Sequence, residues 1–142
     1  MNKENILNKE IDLIQGLIAR MANNSFLLKG WCISLIAVLL ALTKDTIVAI
    51  NLDYFNLILI FPVIAFWYLD AYFLHKEKCY RKLYDWTISN RMNSDEFIYS
   101  LDYRRFENDE KSIFAIMFSK TLILLYGLIL LILLALILHN IF

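Results

Sequence analysis

The stretch "TLILLYGLILLILLALIL", Thr121 to Leu138, holds eighteen residues without a formal charge. As a helix rising about 1.5 Å per residue it covers roughly 27 Å, close to the thickness of a bilayer's hydrocarbon core. Two further apolar blocks precede it, "FLLKGWCISLIAVLLALT" at 26–43 and "YFNLILIFPVIAFWYL" at 54–69. A chain of 142 residues that is 60% hydrophobic, with only three Gly and one Pro, would struggle to hide that surface in a water-soluble domain. The blocks predict a single-domain, all-α integral membrane protein with transmembrane helices at 26–43, 54–69 and 113–138. No basic n-region or small-residue cleavage site opens the chain, so the first span reads as an uncleaved anchor.

The segments outside the blocks are polar but patterned. Residues 4–22 carry Ile6, Leu7, Ile11, Ile14, Leu17, Ile18 and Met21 at helical spacing, with Lys9, Glu10, Asp12 and Arg20 between them. That is an amphipathic helix, too charged to span. It suits the membrane surface, the cytoplasmic part of the protein, or a contact between copies. Asn23, Asn24 and Ser25 read as a break and a cap before the first span. Asp53 is expected at the outer interface, with Pro62 kinking a helix that starts near Tyr54.

Between the second and third spans, residues 70–111 form a cytoplasmic helical segment. Phe73, Leu74, Tyr80, Leu83, Tyr84 and Ile88 keep helical spacing without a breaker, so one helix is expected to run on from the membrane to about Asn90. A loop with one short helix follows, for which Ser94, Asp95 and Glu96 offer a start. Lys and Arg are concentrated in the N-terminal arm and in this middle segment, while the first connection has only Lys44. The asymmetry predicts a cytoplasmic N-terminus, a cytoplasmic middle segment and an outer C-terminus.

Sites for chemistry are few. The chain lacks G-x-S-x-G, a Gly-rich phosphate loop, H-E-x-x-H and C-x-x-C, and His75 and His139 fall on opposite predicted sides. It reads as a non-enzyme without a cofactor or metal site, and Cys32 and Cys79 read as packing residues. Asp70 is the sharpest position, an acid at the inner interface just past Phe66, Trp67 and Tyr68. Such an acid is costly unless paired or wet. Two readings stand: a charged ring at the inner mouth of an oligomeric pore, or an acid held by Lys29 or Lys120. Lys29, Asp70 and Lys120 together would form a polar layer and gate, whereas separate lysines would each snorkel to lipid phosphate. Ser34, Thr43, Ser119, Thr121 and Tyr126 are further polar positions in the spans, and Gly127 permits a close helix contact.

The basic run "HKEKCYRK" at 75–82, with Arg91, Arg104 and Arg105, interleaves cations and tyrosines as polyanion and single-strand sites do. Lys78, Arg81, Lys82, Arg104 and Arg105 are the ligand-binding candidates. The alternative is positive-inside anchoring on anionic lipid. Three spans enclose no wide pathway in one subunit, so conduction would need a homo-oligomer.

Three phrases, "LIQGLIARMANNSFLLKGW", "FWYLDAYFLHKEKCYRKLYDW" and "MFSKTLILLYG", resemble the small membrane effectors of Hailong-type bacterial anti-phage systems. The resemblance covers most of the chain and rests on overall character. It implies a homo-oligomeric ion channel of the bacterial inner membrane. A partner nucleotidyltransferase would make a nucleic-acid oligomer that keeps the channel closed, and infection would release it to depolarise the cell. A non-conducting anchor that recruits a cytosolic partner through residues 70–111 is the alternative.

Overall fold

The computed structural model describes residues 2–45 and 52–141, with side chains for 2–41 and 58–138. Among them all regular structure is helical: α1 (Lys3–Asp45), α2 (Leu52–Asn90), a 3₁₀ turn (Tyr103–Phe106), α3 (Ile113–Met117) and α4 (Lys120–Ile141). Three helices, α1, α2 and α4, are long and apolar enough to cross a membrane. The first connection and the Asp53 side chain, expected at the outer interface, lie outside the described residues.

α1 and α2 have 43 and 39 residues, so each is about 60 Å long, twice a bilayer's hydrocarbon thickness. Each therefore has an apolar half and a polar half. They pack along each other, and α2 is the central element, also touching α3, α4 and the 3₁₀ turn. Beyond the polar cluster described below, the apolar core joins Cys32, Ile36, Leu59, Val63, Leu122 and Leu133. A second core in the polar halves joins Ile14 to Tyr80 and Leu83. Between α1 and α4 lies an apolar cleft of about 190 Å³, lined by Ile33, Ile36, Ala37, Leu40, Ile129 and Ile132 among others.

Three local expectations are corrected. No break occurs at Asn23–Ser25, because α1 runs straight through. Asn and Ser inside a helix cost only a few tenths of a kcal/mol each, less than packing along α2 returns. Ser25 spends its hydroxyl on another helix instead of capping its own. The third span likewise does not begin at residue 113, since the chain turns at Phe118–Ser119 before α4. The Ser112 hydroxyl caps α3 by accepting the Ala115 N–H at 3.3 Å. At the other end the Trp67 indole donates to the Met117 carbonyl at 2.9 Å, meeting a helix-end acceptor that would otherwise lack a partner.

The loop after α2 also differs from expectation. No helix starts at Ser94, whose hydroxyl accepts the Glu96 N–H in a tight turn. The short helix is the 3₁₀ turn, capped by Asp102, which accepts the Arg104 N–H at 3.0 Å. Phe97 and Tyr99 both sit at φ 57°, a left-handed conformation that non-glycine residues hold only when something pays for it. α2 itself follows its expected course to Asn90, with Pro62 inside it.

Candidate functional site

The junction between the apolar and polar halves of α1 and α2 is marked by one buried carboxylate. Asp70 is 0% exposed and takes donors from two other helices. Lys29 Nζ lies 2.9 Å from Oδ1 and 2.7 Å from Oδ2, the Ser25 hydroxyl donates to Oδ1, and the Tyr126 hydroxyl donates to Oδ2 at 3.0 Å. Lys29 also donates to Ser25 Oγ at 2.7 Å, which its position one turn along α1 makes possible. Every polar atom of the cluster has a partner, the condition under which a buried ion pair is tolerated. Only Lys29 reaches the outside, with 28% of its side chain exposed.

Lys120 does not join this layer. It stands exposed on the outer face of α4 with no ion pair or hydrogen bond among the described residues. Tyr126, one of the polar span positions, takes the expected third place, fully buried instead of lining a path. Trp67 stacks on the Tyr126 ring at 5.9 Å, so the indole that fixes the α3–α4 corner also orients the phenol aimed at Asp70.

The five basic candidates are dispersed. Lys78 and Lys82 converge on Glu110, at 3.9 and 3.4 Å, and Lys82 also donates to the Asp109 carbonyl. Burial alone would raise the Glu110 carboxyl, but the Lys111 N–H and the two lysines outweigh it and hold the pKa below its ordinary value. Arg81 pairs with Glu77 one turn earlier, through Nε and Nη2 at 2.9 and 2.7 Å. The Arg105 guanidinium lies 3.7 Å from the Phe97 ring centre and 4.5 Å from that of Trp86, and its Nη1 is buried without a hydrogen bond. Arg104 is exposed. Much of the positive charge on α2 is therefore answered within the chain.

A second buried pair was not foreseen. Arg91 and Glu10, each 2% exposed, meet through Nε–Oε2 at 2.5 Å and Nη2–Oε1 at 3.0 Å. Arg91 also donates to the carbonyls of Ser94, Glu96 and Phe97, and Glu10 accepts the Tyr99 N–H at 2.7 Å. The pair thus holds both left-handed residues of the loop. The sequence did carry a signal: Glu10 falls three residues after Leu7 and four before Ile14, inside the apolar stripe. An acid in that register needs a buried cation.

Cys79 sits behind the lysine face, fully buried, with Sγ 3.7 Å from His75 Nε2, while His75 Nδ1 lies 3.0 Å from the Lys111 carbonyl oxygen. Burial, with Glu107 and Glu110 nearby, pushes its thiol from 9.0 up to about 11. Only the thiolate attacks alkylating reagents, so iodoacetamide labelling near neutral pH runs at least about tenfold slower than on free cysteine. The rate climbs as pH approaches 11, a profile that mass spectrometry of the 79-containing peptide reads directly. The sign for stability is the same: the neutral thiol favours the fold below pH 9, and that contribution is lost as pH rises through about 11.

Comparison with known proteins finds no matching family model, no matching curated protein and no matching solved structure. Fold and site define a class: a chain all-helical among its described residues, whose three long apolar helices suit a membrane and meet at one level, where a buried Lys29–Asp70 ion pair joins α1 to α2 and the Tyr126 hydroxyl ties in α4.

Proposed function

We propose that the chain is the subunit of a homo-oligomeric, ligand-gated ion channel of a bacterial inner membrane. It would lie with its N-terminus cytoplasmic and its C-terminus outside, and act as a depolarising effector in anti-phage defence under a nucleotide or oligonucleotide signal. The observation that carries the reading is the Lys29–Asp70 lock at the junction of two unbroken helices, each half apolar and half polar. A shift of the polar halves reaches that junction without crossing a hinge, as a rigid two-state element requires.

In the locked state Lys29 neutralises Asp70. Drawing α1 and α2 apart at that level frees one carboxylate per subunit, and a ring of such carboxylates favours cations. A ligand shifts the balance by binding one arrangement more tightly than the other. Exposed Arg104, and Arg105 stacked on Phe97 beside Trp86, favour a ligand with aromatic faces and phosphates. The Lys78–Lys82 face would bind it only in competition with Glu110.

Purified protein in liposomes should dissipate an imposed potassium diffusion potential. Lys29→Gln should raise the leak, because a buried carboxylate without its cation favours the arrangement that opens it to water, and Asp70→Asn should lower the cation preference. Vesicles that stay tight with wild type and Lys29→Gln alike, while both variants still assemble, would overturn the channel reading. They would leave the anchor, which the exposed apolar residues Ile88, Met92, Phe97 and Ile98 near the end of α2 favour as a contact for a cytosolic partner.

A further inference from the structure

The outer face of α4 carries an open groove of about 410 Å³ that the ion-pair cluster does not use. Lys120 heads it, and Ile123, Leu124, Gly127, Leu128 and Leu131 line it. We infer that this groove binds one anionic phospholipid, with its phosphate on Lys120 and one acyl chain lying across Gly127.

Three observations select this occupant. Charge is the first: Lys120 is exposed and unpaired among the described residues, and no Asp or Glu occurs anywhere from 112 to 142. Its counter-charge must therefore come from another part of the chain or from another molecule, and every described acid that forms an ion pair does so with a different cation. Length is the second. From Lys120 to Leu131 the groove rises about 16 Å, which is one leaflet of a bilayer and not two. A helix from a second copy would follow α4 across the whole bilayer, whereas an acyl chain ends at the midplane. Shape is the third. Gly127 has only the Ile123 side chain within reach of an added Cβ, at 3.8 Å, so the backbone lies open between Leu124 and Leu128, of which Leu124 is 74% exposed. That notch gives a flexible chain a seat between two bulky ridges.

The inference rests on the membrane reading but not on conduction. Its test uses the full-length protein extracted from bacterial membranes into mild detergent, with phosphatidylglycerol and phosphatidylcholine added at equal concentration and retained lipid measured by native mass spectrometry. Wild type is expected to retain phosphatidylglycerol about fivefold over phosphatidylcholine, the preference one lysine near an anionic headgroup supports. Lys120→Gln should bring the ratio to about one. Gly127→Leu, whose Cβ fits without a clash, should reduce retention of both lipids by filling the notch. Equal retention of the two lipids by wild type, or an unchanged preference in Lys120→Gln, overturns the lipid site. So does efficient disulfide formation between Gly127→Cys copies in bilayers of either lipid, which would put a second α4 in the groove. Release of wild type from membranes by alkaline carbonate would sink the membrane reading as well, whereas failure of the lipid arms alone leaves it standing.

Discussion

Replacing Lys29 with Met is expected to cost about 3–5 kcal/mol of stability, as breaking a buried pair by removing one partner does. The variant leaves the Asp70 carboxylate fully buried with only the Ser25 and Tyr126 hydroxyls to answer its charge. Tyr126→Phe removes one hydrogen bond to a charged group and should cost about 1.5–3 kcal/mol, keeping the ring stack with Trp67. Lys29→Met combined with Asp70→Asn should recover much of the loss, because an uncharged pair needs no neutralisation. Thermal melting in detergent checks all three. Strictly additive effects of the two members of the pair would show that they do not act as a unit.

Arg91→Ala is the second large effect, again about 3–5 kcal/mol. It leaves Glu10 buried with one N–H donor, from Tyr99, and removes the donor of three loop carbonyls. Phe97 and Tyr99 hold left-handed backbone at about 1–2 kcal/mol each, so the loop should relax once released. Trypsin should then cut after Arg104 and Arg105 much faster than in wild type, with helix content from circular dichroism little changed. Glu10→Gln, which keeps the shape and loses the charge, should fall between the two. Cleavage of Arg91→Ala at the wild-type rate would show that the pair does not hold the loop.

The long elements were legible because apolar blocks and unbroken helical spacing are local properties of a sequence. The extension of α2 to Asn90 needed only the absence of a breaker, and depth alone suggested Lys29 as a partner for Asp70. Depth does not tell which way a side chain faces, so it could not choose between the two readings of Lys120, a place in the polar layer or a lysine turned to lipid. The structure keeps Lys120 out of the layer. Six residues separate Lys120 from Tyr126, which places them about 120° apart around the helix. Packing on α2 chose the face with Tyr126. The corner at Phe118–Ser119 was invisible for a related reason, since neither Pro nor Gly marks it and Trp67, fifty residues away, secures it. Ser25 misled because its preference for caps is a weak prior that a tertiary partner overrides.

The Glu10–Arg91 clasp joins positions 81 residues apart, and this sets an order of events during synthesis. The N-terminal arm leaves the ribosome first but keeps an unpaired acid in its apolar stripe until Arg91 follows, 81 residues and more than half of the chain later. Lys29 and Asp70 can meet before α4 exists, and Tyr126 closes over them last. A nascent chain stalled before Arg91 therefore exposes the sticky side of its own arm, and the interval between those two residues is when it most needs a chaperone's cover.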